Sequence, residues 1–139
     1  MKILSRRSEP GPVIFGSDLA FQVWKYGVGH SQLLLRAVSN QSGGGRVDLL
    51  FEGVAAMQLT MRYEALKVHP VDAAEFQEIF ESSGVDEKWR KSFVIVRLTS
   101  RTGSGYVQCA KITAERSREE SALQQDPDEP RDLIWSLRP

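Results

Sequence analysis

Two apolar segments joined by a short glycine turn constrain the fold of this chain most strongly. Residues 93–101, FVIVRLTSR, form a near-continuous apolar run of the kind found in strands covered on both faces. The turn RTGSG follows, and the pattern of residues 106–115, YVQCAKITAE, predicts a second strand. Two strands joined by so short a turn run antiparallel, so the sequence predicts a fold built on an antiparallel sheet.

Shorter segments upstream repeat with a period of two. Residues 20–26 alternate in this way, and residues 31–38 follow after a glycine-bearing turn. Residues 46–52 alternate again, and the spacing continues through 57–63. A helix is the alternative for residues 55–61, and the pattern leaves this choice open. The sequence therefore predicts a meander of about four strands before the hairpin.

One helix is expected, over residues 73–83. Asp72 is placed to accept hydrogen bonds at the N-cap, Glu75 completes a capping box, and Gly84 suits a left-handed C-terminal position. Three apolar side chains mark the buried face: Phe76, Ile79 and Phe80. The predicted class is α+β, a mostly antiparallel sheet, either an open meander or curled toward a half-open barrel, with this helix packed on it.

The chain has 139 residues, which is the size of one domain. Its composition divides it into a mobile N-terminal segment (1–19), a single β-rich domain (20–115), a polar linker (116–131) and an apolar tail (132–139). An apolar tail after a polar linker is expected to dock on its own domain as a last strand.

Charge and hydropathy exclude several classes of function. Eighteen basic residues balance eighteen acidic ones, which argues against a dedicated nucleic-acid-binding protein. No apolar run approaches the roughly 20 residues of a membrane span, and the N-terminus lacks the apolar core of an export signal. Cys109 is the sole cysteine, so no internal disulfide can form. A cytoplasmic protein that binds neither membrane nor nucleic acid is the expectation.

Catalytic and metal-binding patterns are missing from the sequence. His30, His69 and Cys109 are the residues that metals favour most, and no two of them have ligand-pair spacing. The motifs CxxC, HExxH, GxSxG and SxxK do not occur. The triple glycine at 43–45 lacks the Lys-Ser/Thr ending of a phosphate loop. The sequence therefore predicts neither a metal nor a cofactor, and it favours a protein without enzymatic activity.

Four aromatic residues are the candidate partner-binding residues. Trp24 and Tyr26 are expected on the strand face opposite Phe21, Trp89 lies in the charged segment DEKWRK, and Trp135 lies in the tail. Exposed aromatic side chains anchor many protein interfaces. The alternative is that the helix and the tail cover Trp24 and Tyr26, and that Trp89 lies under a loop at the edge of the core.

The functional hypothesis that follows is a non-enzymatic protein-interaction or binding module of unknown partner, with self-association as a homodimer through an open sheet edge or the aromatic face. A second hypothesis is a small-molecule-binding or enzymatic half-barrel with His30 or His69 at its mouth. A third is an immunity-type protein that neutralises a toxin, because the chain resembles small β-rich bacterial domains of that kind in general appearance, without matching residues.

Overall fold

The computed structural model describes residues 11–39, 45–117 and 131–139. Of the predicted linker, residues 118–130 lie outside the described part, as do residues 1–10 of the predicted N-terminal segment and residues 40–44 around the triple glycine. The elements in chain order are β1 (Phe15–Gly16), β2 (Ala20–Gly27), a 3-10 helix (Val28–His30), β3 (Gln32–Val38), β4 (Arg46–Glu52), β5 (Ala56–Gln58), β6 (Arg62–Glu64), β7 (Lys67–Pro70), α1 (Ala73–Ser83), a second 3-10 helix (Glu87–Ser92), β8 (Val94–Thr99), β9 (Ser104–Cys109), β10 (Lys111–Ser117) and β11 (Arg131–Leu137).

The predicted α+β class is confirmed, and the strands form two antiparallel sheets. The helix-side sheet has the order β1-β7-β8-β9-β5, and the tail-side sheet has the order β11-β10-β4-β3-β2-β6. The sheets are not closed into a barrel. The choice that the sequence left open at residues 55–61 is decided in favour of a strand, because β5 pairs with β9.

The chain crosses between the two sheets at a tight corner, where β4 leads into β5 and β9 leads into β10. Gly53 has a φ of +67°, and a Cβ there would lie 2.9 Å from the Cβ of Ala110. On the other strand, the backbone N–H of Ala110 donates to the carbonyl of Glu52 at 2.8 Å. The predicted strand over 106–115 is therefore two strands, because the chain bends at Ala110 and continues in the second sheet.

A second corner lies between β6 and β7. Ala65 has a φ of 61°, and its N–H donates to the carbonyl of Leu19 at 3.2 Å. The N–H of Ser17 donates to the carbonyl of Leu66 at 2.9 Å. Because of this corner, β6 belongs to the tail-side sheet and β7 to the helix-side sheet.

The inner faces of the two sheets enclose one core. Tyr63 is fully buried within it, and its hydroxyl accepts a hydrogen bond from the N–H of Thr60 at 2.8 Å. Apolar side chains from both sheets make up most of the rest: Phe21, Leu33, Leu35, Val47, Leu49, Phe51, Val68, Val96, Leu98, Val107, Cys109 and Ile112. The alternation along each strand thus places one set of residues in the core and leaves the other set on the outer faces.

Helix α1 covers the outer face of the helix-side sheet, where Ile79 and Phe80 pack against Ile95. Asp72 and Gly84 take the predicted cap positions, and the carboxylate of Glu75, predicted to complete a capping box, pairs with Arg97. Asp72 Oδ1 accepts from the N–H of Glu75 at 2.7 Å, and Gly84 takes the left-handed conformation with a φ of 76°. The outer face of the tail-side sheet carries the candidate site.

Candidate partner-binding groove

A β-bulge positions Trp24 on the outer face of the tail-side sheet. The register of β2 against β3 shifts between Val23 and Lys25, which leaves Trp24 as the extra residue. Beyond the bulge, Tyr26 pairs with the buried Leu33 and so points to the inner side of the sheet. The prediction that Trp24 and Tyr26 share one face is therefore wrong, because one extra residue reverses the alternation that follows it.

The ring of Trp24 lies on a fixed guanidinium. The Arg36 Cζ is 5.4 Å from the ring centre. Arg36 Nε donates to Asp48 Oδ1 at 2.7 Å, and its Nη2 donates to Asp48 Oδ2 at 3.1 Å. The two side chains are only 4% and 8% exposed. Because a bidentate pair of this kind fixes the guanidinium plane, Trp24 has a rigid support beneath it.

Asp48 is the centre of a larger ionic cluster. Arg46 Nε lies 3.5 Å from Asp48 Oδ1, and Arg131 Nη1 lies 3.7 Å from Asp48 Oδ2. Arg131 also lies 3.5 Å from Glu115. The cluster connects β3, β4, β10 and β11 across the outer face of the sheet. Sequence reasoning missed it, because the only signal was the presence of charged residues at alternating strand positions, and their partners depend on the register.

Two adjoining cavities of about 410 Å³ each flank Trp24. They share Gln22, Trp24 and Arg62, and we call the combined depression the Trp24 groove. One cavity is completed by Val23 and by Met61, which is 70% exposed. The other is completed by four charged and four apolar residues: Asp18, Arg36, Glu64, Arg101, Leu19, Ala20, Val38 and Ala65. The groove therefore has an apolar end and a charged end, with the tryptophan between them.

Three arginines and two carboxylates line the charged end of the groove. Arg62 Nε lies 3.0 Å from Glu64 Oε2, and these side chains are 49% and 40% exposed. Arg101 is attached through its backbone, whose N–H donates to the carbonyl of Glu64 at 2.9 Å. Within the described residues, the guanidinium of Arg101 and the carboxylate of Asp18 have no side-chain partner. The arrangement can bind hydrogen-bond acceptors through charged donors.

The other predicted aromatic residues lie elsewhere, and none of them lines the Trp24 groove. Tyr26 is 39% exposed near the end of β2. Trp89 is 54% exposed in the second 3-10 helix, and Lys88 Nζ lies 5.5 Å from its ring centre. Trp135 stacks on Phe15 with 5.3 Å between ring centres and packs against the core. The structure thus does not bring the four residues together, and Trp24 is the one that lies in a concave surface.

The two histidines occupy different environments. His69 is buried, and its Nδ1 lies 2.8 Å from the carbonyl of Gly11. A carbonyl only accepts, so Nδ1 carries the proton, and Nε2 lies 2.8 Å from Thr99 Oγ1. His30 lies exposed in the first 3-10 helix, between β2 and β3. Neither side chain lines the groove, so the geometry does not favour the half-barrel hypothesis.

Cys109 lies on the inner face of β9 and is fully buried. Burial raises the pKa of its thiol to about 12. A reactive cysteine needs a thiolate and an exposed setting, and Cys109 has neither. It is a small core residue in this fold.

A smaller cavity of about 250 Å³ lies between α1 and the helix-side sheet. Glu75 and Arg97 meet there in an ion pair, and the polar lining also includes Gln58, Glu78, Ser82 and Tyr106. Across the described ranges, no group of three or more His, Cys, Asp or Glu residues suits a metal ion, and no helix is long and apolar enough to cross a membrane.

Comparisons of the chain with protein-family models, with curated proteins and with solved structures found no match.

Proposed function

We propose that this chain is a non-enzymatic protein-binding module that docks a segment of its partner in the Trp24 groove. The observation that carries the proposal is the rigid support of Trp24. Its ring lies on Arg36, and Arg36 is held by Asp48 through two hydrogen bonds. A large aromatic side chain that is positioned before binding loses little conformational entropy when a partner packs against it.

The residue types of the groove agree with this role. Tryptophan and arginine are enriched among the residues that contribute most to binding energy in protein interfaces. Met61 is exposed beside Trp24, and methionine adapts its shape to different apolar partners. The groove runs along β6, one of the two edge strands of the tail-side sheet. The outward backbone of β6 is already bonded, because the N–H of Glu64 donates to Thr102 Oγ1 and the carbonyl of Arg62 accepts from it. A partner segment would therefore bind at this place through side-chain contacts.

Peptide selection with a matched pair of variants tests the proposal. Random peptides displayed on phage are selected on the immobilised full chain, and the dissociation constants of the enriched peptides are measured by fluorescence anisotropy. We expect the substitution Trp24→Ala to weaken binding by about tenfold or more, as for other central aromatic contacts. The matched control is Trp89→Ala, which removes an exposed tryptophan outside the groove and leaves binding unchanged.

Thermal unfolding of both variants confirms that each is folded before its affinity is compared. If the selected peptides bind the Trp24→Ala variant as tightly as the original chain, the groove is not the binding surface and the proposal is wrong. A selection that enriches no peptide counts against it in the same way.

A further inference from the structure

The Trp24 groove is divided into an apolar end and a charged end. This division indicates which residue types its ligand carries. We infer that the partner segment carries an acidic side chain close in sequence to an apolar one. The inference rests on the proposed function and adds the chemistry of the partner to it. The apolar side chain would pack against Trp24 and Met61, and the acidic side chain would meet Arg62 and Arg101.

The charged end offers hydrogen-bond donors that the described residues do not use. A guanidinium carries five N–H donors. Arg62 uses its Nε for Glu64, and within the described residues its two terminal nitrogens have no partner. The guanidinium of Arg101 also has no hydrogen-bond partner within the described residues. A carboxylate can accept two parallel hydrogen bonds from such a group, which makes it the natural ligand.

The other charges of the groove act on an acidic ligand in different ways. Arg36 is held by two hydrogen bonds to Asp48 and its side chain is only 4% exposed, so it supports Trp24 and does not compete for the ligand. Glu64 accepts from Arg62. Asp18 is an exposed carboxylate at the same end of the groove and has no side-chain partner within the described residues. An acidic ligand would be attracted by Arg101 and repelled by Asp18.

These opposite effects make the inference testable with synthetic peptides. The probes are fluorescein-labelled Gly-Ser peptides that contain one leucine and, two to four residues away, either Glu, Gln or Lys. We expect the best Glu peptide to bind the full chain about tenfold more tightly than its Gln counterpart and the Lys peptide to bind most weakly, because charge complementarity discriminates between partners. Raising the salt concentration reduces the difference, because these charges are exposed.

Three variants separate an acidic ligand from a basic one. Arg101→Glu is expected to weaken the binding of the Glu peptide about tenfold, whereas Asp18→Asn is expected to strengthen it about twofold to threefold. Lys67→Glu is the matched control, since Lys67 is exposed on β7 of the other sheet and this substitution changes the net charge by the same amount as Arg101→Glu. It is expected to leave the affinity nearly unchanged.

Two kinds of failure can be distinguished. If binding depends on Trp24 but is equal for the Glu, Gln and Lys peptides, or if Asp18→Asn weakens it, the inference is overturned and the proposed function stands. If no peptide shows binding that depends on Trp24, both are overturned.

Discussion

Arg36 lies with its guanidinium carbon 5.4 Å from the centre of the Trp24 ring, and the same guanidinium is hydrogen bonded to the buried carboxylate of Asp48. One arginine therefore belongs both to the proposed binding groove and to the ionic cluster that connects the strands of the tail-side sheet. The stability of the sheet and the shape of the groove depend on the same contact.

Asp48→Asn should destabilise the protein strongly. The substitution keeps the shape of the side chain but removes the charge that Arg36 and Arg46 face, and both arginines are buried. Breaking a buried ion pair by removing one partner costs about 3–5 kcal/mol. We therefore expect the free energy of unfolding, measured in urea, to fall by an amount near the lower end of that range. The matched control is Glu64→Gln, which breaks an exposed pair and should cost less than about 1 kcal/mol. Equal losses for the two variants would contradict the assignment of Asp48 as a buried ionic centre.

Trp135 and Trp89 should contribute unequally to stability. Trp135 stacks on Phe15 and packs against the core, so Trp135→Ala should lower the free energy of unfolding by about 2–3 kcal/mol. Trp89 is mostly exposed, and Trp89→Ala should change it by less than about 0.5 kcal/mol. Chemical denaturation of the two variants measures both values. A small loss for Trp135→Ala would show that β11 contributes little to the folded state.

Gly105 should not tolerate a side chain. A Cβ at this position would lie 2.2 Å from the carbonyl oxygen of Gln58 and 2.8 Å from the hydroxyl of Tyr63. Because backbone has to move to relieve this overlap, Gly105→Ala should cost about 2 kcal/mol or more. Gly29 is the control, since a Cβ there would meet no atom within 4 Å. Gly29→Ala should be neutral or slightly stabilising, and thermal unfolding of the two variants tests the contrast.

Cys109 should be unreactive in the folded protein. Its thiol pKa of about 12 leaves almost no thiolate at pH 8, and the side chain is fully buried. We expect a chromogenic disulfide reagent to modify Cys109 only after denaturant is added. Rapid modification of the native protein would show that β9 opens frequently.

The same thiol should make stability depend on alkaline pH. The folded pKa is raised above the usual value of about 9, so the unfolded chain loses this proton first and stability falls as the pH rises from 9 toward 12. Comparing unfolding of the original chain and Cys109→Ala over that range isolates the contribution of the thiol. A pH dependence that is identical in both proteins would contradict it.

Local patterns in the sequence were sufficient for part of the secondary structure and for the fold class. The capping at Asp72 and Gly84 and the alternation along the strands act over a few neighbouring residues, so helix α1, the β8–β9 hairpin and the α+β class could be predicted without tertiary information. Trp24 was identified as a candidate binding residue for the same reason, because its position in an amphipathic strand is visible in the sequence.

Only the tertiary structure decided how the strands divide into two sheets and what surrounds Trp24. The corners at Gly53, Ala65 and Ala110 depend on contacts between distant segments, and the bulge at Trp24 depends on the register against β3. Alternation shows which side chains share a face but not which strand lies beside them. The support of Trp24 by Arg36 and Asp48, and the groove that results, follow from that register and could not be read from the sequence alone.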